Sequence, residues 1–523
     1  MSFIVKDIVL EKRGEIMITN YFFIVAAIVI YLLVMLAIGF VFSKNNSNTE
    51  DFYLGGRKLG PFVTAMSAEA SDMSSWLLMG LPGVAYLSGV CDAAWTAIGL
   101  GIGTYLNWLF VARRLRRYSA NIDAFTVPSF YSKRFHDDKN ILNAICALVI
   151  VIFFIPYTAS GFAACGKLFN SLFGVDYMAA MVVSAIVIVG YTIMGGFRAV
   201  STTDFIQSCV MTLALVVVLG YGVTVAGGMD AVMANAHSMA GYLSLNAMHD
   251  AATGSATPYG FITIISTAAW GLGYFGMPHI ILRFMAIEDE KKLVLSRRVA
   301  SVWVFIAMFG AIFIGIVGNA VSKANVLEML DGSSSETVIV RLAGLISQHG
   351  ALPAIIAGVI LAGVLAATMS TADSQMLAAA SSVSQNITQD FLKIKLDDKK
   401  SLAVARGAIL VISVIAIFLA KDPNSSVFQI VSFAWAGFGG AFGALTLLAL
   451  FWKRTTKEGA IAGVVAGGAM VFIWKFLVRP LGGAWNIYEL LPAFIVSLIF
   501  IVVVSLCTKE PSEEIYKEFE AAK

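Results

Sequence analysis

With 59% hydrophobic and 13% charged residues over 523 positions, and a mean hydropathy of +0.82, the chain is too apolar for a water-soluble fold. Soluble domains carry about 25% charged residues, so much of this surface faces lipid. A net charge of +3 spread along the chain gives nucleic acid no basic patch. Cys91, Cys146, Cys165, Cys209 and Cys507 are odd in number and far apart, which excludes a disulfide framework or metal site and reads as buried small hydrophobes.

Residues 1–19 are mixed and charged, and the run from Tyr21 to Val41 is too long for a signal core. A bilayer admits only helices or closed barrels, and the apolar runs here far exceed the ~10-residue alternating segments of barrel strands. The sequence predicts an all-α integral membrane protein with about thirteen spans. They fall near 20–42, 61–89, 92–112, 141–172, 176–197, 203–228, 257–286, 297–323, 341–386, 402–420, 424–452, 457–477 and 487–508. The ninth is long enough to include a short helix before Pro353.

Basic residues cluster in alternate loops: Arg113 to Lys139, Lys291 to Arg298, Lys393 to Lys400 and Lys453 to Lys457. The loop from Met229 to Tyr259 has no Lys or Arg. The positive-inside rule then puts residues 1–19 outside the cell and the tail, 509–523, in the cytoplasm. That tail is charged and reads as solvated. The Asp331 to Glu336 stretch is polar and reads as an external, mobile loop.

Two spans are interrupted. SAEASDMSSW, from Ser67 to Trp76, places Ser67, Glu69, Ser71, Asp72, Ser74 and Ser75 inside the second span. WGLGYFGMPH, from Trp270 to His279, holds three glycines and a proline in the seventh. Gly and Pro cost a helix interior about 1 and 3 kcal/mol relative to Ala. Kinks packed on small residues are the bland reading. Unwinding at the midplane is the sharper one, because it frees carbonyls for a cation and half-helix N-termini for a carboxylate. The interruptions lie five spans apart, as the first helices of two successive five-helix units. An odd-numbered unit repeated in tandem is inverted in the membrane, the architecture of secondary transporters.

In AATMSTADSQ, Ala367, Ser370, Thr371 and Ser374 are spaced three and four apart and share one helical face. Their hydroxyls are hard ligands suited to sodium, although such side chains often bond only to their own helix. Glu69, Asp72, Asp204 and Asp373 are acids within spans, each costing about 3 kcal/mol at a helix centre, so a functional role is the default. Asp204 has an alternative as a helix N-cap, and Lys167 as a snorkelling side chain. Trp270 and Tyr274 sit i, i+4 across the seventh span, and Tyr157 follows Pro156 in the fourth. Aromatic faces suit a small apolar ring and an ammonium group. No Arg is expected at the midplane, which disfavours a large polyanion and leaves a small zwitterion to backbone dipoles.

YLGGRKLGPFVTAMSAEASDMSSWLLMGLPG from Tyr53, WGLGYFGMPHIILRFMA from Trp270 and FAWAGFGGAFGAL from Phe433 resemble the sodium:solute symporter family, with similarity from about residue 20 to 510. The resemblance implies a LeuT-type core of two inverted five-helix repeats, 61–228 and 257–452. An extra helix and loop, 20–60, would precede it, and two C-terminal helices, 453–508, would follow. It implies a sodium site from the backbone oxygens of Ala70, Met73 and Ala367 and the hydroxyls of Ser370 and Thr371, with Asp72 linked to sodium dependence. L-proline would lie against Ser74, Tyr157, Trp270, Tyr274 and Pro278, while Arg57, Ser67 and Ser71 match positions linked to transport. Glu69 departs from the family's glycine and Met277 from its glutamine. Asp373 and Ser374 match positions used for an additional sodium in other members, so Asp204, Ser370, Asp373 and Ser374 are a second candidate sodium site.

The expectation is a sodium-coupled importer working by alternating access in the cytoplasmic membrane. It needs sodium and the bilayer but no organic cofactor, nucleic acid or obligate protein partner. A same-fold symporter for another small amino or carboxylic acid, or one coupled to protons, is the first alternative. A transporter-like sensor or a channel is the second. The five histidines have no metal or nucleophile spacing, which argues against an enzyme.

Overall fold

The computed structural model describes residues 2–43 and 49–523, with side chains at 19–41, 52–193 and 196–523. Among these residues ten helices are long and apolar enough to cross a bilayer. Three shorter apolar helices, Trp76–Ser88, Tyr177–Ile193 and Phe261–Gly276, lie between them.

In chain order, α1 is Ser2–Ser43, whose apolar part is Thr19–Val41. The helical backbone therefore continues through the segment expected as a separate N-terminal piece. α2 (Pro61–Asp72) and α3 (Trp76–Ser88) make the interrupted second span. α4 (Val90–Asn121), α5 (Val127–Arg134) and α6 (Ile141–Phe173) follow. α7 (Tyr177–Ile193) and α8 (Gly196–Val225) meet at Gly196, where φ is 66° and only glycine turns the chain without strain.

The Lys- and Arg-free loop is structured, as α9 (Met229–Ser238) and an antiparallel hairpin of β1 (Ala247–Asp250) and β2 (Ser255–Pro258). α10 (Phe261–Gly276) and α11 (Pro278–Ala286) make the interrupted seventh span. α12 is Glu290–Lys323. The ninth apolar stretch does divide before Pro353, into α13 (Val338–Ser347) and α14 (Ala351–Phe391). α15 (Asp398–Leu419), α16 (Val427–Phe451), α17 (Lys457–Leu481), α18 (Leu490–Cys507) and α19 (Glu513–Ala521) complete the chain.

Glycines set how closely the interrupted helices are held. A Cβ on Gly103 would lie 2.3 Å from the Gly271 carbonyl oxygen, and one on Gly99 2.2 Å from that of Ala268. α4 thus supports α10 backbone to backbone, which no larger residue permits.

Three expectations are corrected. The tail is not simply solvated: α19 buries Phe519 and Ala522 against the protein. The Asp331–Glu336 stretch is anchored, because Gly332–Thr337 forms a 3₁₀ turn that buries Glu336. Lys167 does not snorkel but pairs with Glu336 at 2.7 Å, both side chains buried. The same carboxylate accepts from the Val427 and Phe428 N–H groups at 3.0 and 3.1 Å, satisfying orphan donors at the start of α16. Of the cysteines, Cys91, Cys146 and Cys165 are buried, whereas Cys209 and Cys507 are exposed on the surface.

Candidate functional site

The first interruption spans Met73 to Ser75. α2 ends with the Met73 N–H donating to the Glu69 carbonyl at 2.7 Å, and the Ser74 N–H then turns back to the Asp72 carbonyl at 2.8 Å. The Asp72 carbonyl also accepts from the Trp76 indole at 3.0 Å and the Tyr157 phenol at 3.3 Å. The second interruption winds α10 into a 3₁₀ stretch over Ala269–Gly276 and breaks at Met277, before Pro278 opens α11. Its carbonyls are met by side chains: Trp435 Nε1 donates to Trp270 O at 2.8 Å and Asn107 Nδ2 to Tyr274 O at 3.0 Å. Irregular backbone survives here because neighbouring helices supply the partners its own turns lack.

α14 crosses α2 at the first break. Ser370 Oγ donates to the Ala70 carbonyl at 2.8 Å and lies 3.2 Å from that of Ala367, and Thr371 Oγ1 donates to Ala367 O at 3.1 Å. Four of the five predicted sodium ligands therefore converge. Met73 stands at the break itself, where φ −75° and ψ 67° leave the helix. All five residues are buried. Two carbonyls and two hydroxyls, Ala70 O, Ala367 O, Ser370 Oγ and Thr371 Oγ1, suit a hard monovalent cation.

The predicted substrate residues Ser74, Tyr157, Trp270, Tyr274 and Pro278 are buried around the two breaks. The Tyr274 phenol donates to Asp72 Oδ2 at 2.5 Å. Sequence reasoning missed Trp76, Phe428, Trp435 and Tyr488, which surround Trp270 with ring centroids 5.1 to 6.1 Å away. Tyr488 stacks on it at 5.1 Å. Phe428 also lines a cavity of about 960 Å³ with Asp92, Glu336, Ser432 and Arg479. These partners come from distant segments and carry no local signal.

The acids separate into two environments. Glu69 points at α4, where its Oε1 accepts from Thr104 Oγ1 at 2.9 Å and Trp108 Nε1 at 2.8 Å. Asp204 is not an N-cap; it lies within α8, fully buried. Its Oδ2 accepts from Ser67 Oγ at 2.6 Å and pairs with Arg283 at 3.1 Å. Arg283 is buried, 1% exposed, a cation that the sequence reading did not single out. It donates to Ser67 Oγ at 2.9 Å and to Ser374 Oγ at 2.5 Å, and Ser374 Oγ lies 3.3 Å from Asp373 Oδ1. Asp204, Asp373 and Ser374 thus gather around a guanidinium, while Ser370 turns away to Ala70.

Two predicted motif residues do structural work in this arrangement. Arg57 ties the chain before α2 to the end of α4 and to α11, donating to Ala124 O at 2.5 Å and Met285 O at 2.8 Å. Ser71 Oγ bonds locally to Ala68 O at 3.0 Å.

Apolar spans, two side-chain-braced breaks and a hard-oxygen cluster define a membrane transporter of the interrupted-helix type. Residues 52–467 match the sodium:solute symporter family, and the chain belongs to that family. It is 40% identical over 497 residues to the osmoregulated proline transporter OpuE of Bacillus subtilis, covering 95% of this chain and 97% of that one. It is 41% identical over 500 residues to the sodium/proline symporter of Haemophilus influenzae, covering 94% and 96%. In three dimensions it resembles a Na⁺-coupled sialic acid symporter solved in a substrate-bound outward-open state, with a TM-score of 0.74 at 19% identity over 95% of this chain and 99% of that one.

Proposed function

We propose that the chain is a sodium-coupled symporter that imports L-proline by alternating access. The observation that carries this is the Ser370 hydroxyl on the Ala70 carbonyl, at 2.8 Å, where α14 meets the break after α2. Sodium held by Ala70, Met73, Ala367, Ser370 and Thr371 draws these two helices together. The same break carries Asp72 and faces Tyr157, so ion binding shapes the wall against which proline packs. Tyr157, Trp270, Tyr274 and Pro278 supply apolar and aromatic contact, and Ser74 a hydroxyl at the unwound turn. The relatives named for proline, about 40% identical over nearly their full length, support the substrate.

The reading includes a LeuT-type core of two inverted repeats, 61–228 and 257–452, within about thirteen spans. One helix precedes that core and two follow it. It places the protein in the cytoplasmic membrane with the N-terminus outside. Linkage requires sodium and proline to raise each other's affinity by the same factor.

The test is proline uptake into proteoliposomes under an imposed sodium gradient, with unlabelled amino and carboxylic acids as competitors. Uptake indifferent to sodium rejects the coupling, and stronger competition by another solute reassigns the substrate. A second sodium at Asp204, Ser370, Asp373 and Ser374 is the further reading. It draws on two buried acids, Asp204 and Asp373, grouped with Arg283 and Ser374. A sodium:proline flux ratio of one that Asp373→Ala does not change rejects it.

A further inference from the structure

A cavity of about 690 Å³ lies far from the two breaks, between α1, α6 and α13. Asn20 and Tyr21 line it where the apolar part of α1 begins, and Ser171 and Leu172 where α6 ends. Arg341 and Gln348 approach from α13. The cavity therefore opens where apolar sequence stops, on the membrane face opposite the Arg113–Arg117 loop. Tyr21 is the kind of side chain that settles at that depth.

Its charge is one-sided. Among the described residues the lining holds one cation, Arg341, and no Asp or Glu. Arg341 Nε is buried without a hydrogen-bond partner, and the guanidinium enters no ion pair among the described residues. Arg341 is half-buried. Of the fully buried cations, Lys167 is paired with Glu336 and Arg283 with Asp204, while Arg134 bonds the Ala449 carbonyl and keeps two guanidinium nitrogens without a hydrogen-bond partner. A buried unsatisfied donor costs about 1–3 kcal/mol, and more when charged. A guanidinium beside hydroxyl and amide side chains, with apolar walls such as Leu172, matches a phosphate group joined to an apolar body.

We propose that Arg341 and its cavity bind a phosphate group at this membrane face, either the head group of a phospholipid or free inorganic phosphate. α13 continues directly from the turn that carries Glu336, so phosphate held here ties that turn to α1 and α6. Glu336 also lines the larger cavity that Phe428 borders.

The test uses the full-length protein in neutral detergent. Short-chain phosphatidylglycerol and inorganic phosphate are titrated separately at constant ionic strength, and the thermal midpoint is followed. Saturable stabilisation by the lipid, weakened at least tenfold in Arg341→Gln and in Ser171→Asp, is expected, with Arg341→Lys intermediate. Stabilisation by inorganic phosphate with the same loss identifies the free anion as the source. Wild-type protein with no saturable response to either probe overturns the proposal. So do variants that respond like wild type.

Discussion

The Tyr274 phenol donates to Asp72 Oδ2 at 2.5 Å, joining the two interrupted helices through one side chain from each. Asp72 Oδ1 has no partner, and the residue is fully buried. This bond holds the first break against the second.

Tyr274→Phe removes that donor and leaves the Asp72 carboxyl without its side-chain partner, at a cost of about 1–3 kcal/mol. The ring remains and still packs edge-on against Trp435, 5.2 Å away, so the fold is kept. The expected result is a proline KM at least tenfold higher at saturating sodium, measured by uptake into proteoliposomes. An unchanged KM would reduce Tyr274 to packing.

Ser370→Ala deletes the hydroxyl that reaches from α14 to the Ala70 carbonyl. The sodium concentration for half-maximal uptake should rise at least tenfold, equivalent to about 1.4 kcal/mol. Adding Thr371→Ala should raise it further, because that hydroxyl meets Ala367 O from the same face. At saturating sodium the proline KM should return most of the way to the wild-type value. A proline defect that sodium cannot restore would assign Ser370 to packing rather than to the ion.

Asp204 and Arg283 make a prediction of opposite kind, about folding. Both are fully buried, and removing one partner strands the other charge at about 3–5 kcal/mol. Asp204→Asn should lower the thermal midpoint in detergent markedly. Arg283→Met combined with Asp204→Leu should recover much of that loss, because the stranded charge is gone. A double variant as unstable as the sum of the singles would show that the pair is not a unit.

The two breaks were legible because their causes are local: Gly271, Gly273, Gly276 and Pro278 lie within a few residues, and polar side chains crowd Ser67 to Ser75. The Ala367, Ser370 and Thr371 face was legible from helical spacing. The ion pairs were not. Arg283 finds Asp204 79 positions away and Lys167 finds Glu336 169 positions away, and nothing in either segment names the other. The polar Asp331 to Glu336 stretch looked mobile because its anchor is the start of α16, supplied by distant sequence.

The tail shows a signal that was present and overlooked. Ile515, Phe519 and Ala522 recur at i, i+4 and i+7 among charged neighbours, an amphipathic stripe, and all three are buried. Arg114 and Arg134 lie over the Phe519 ring at 4.4 and 5.1 Å, and Glu518 meets His136 at 3.1 Å. Each cation–π contact contributes about 0.5–2 kcal/mol. α19 is therefore held on the basic Arg113–Lys139 segment, which carries the end of α4 and α5. Phe519→Ala should free it, so that proteolysis after Lys509 and Lys517 speeds at least tenfold while the thermal midpoint of the membrane core moves little. Glu518→Gln should give a smaller effect, because its hydrogen bond with His136 is partly exposed. Equal proteolysis of wild type and Phe519→Ala would mean that the ring does not hold the tail in place.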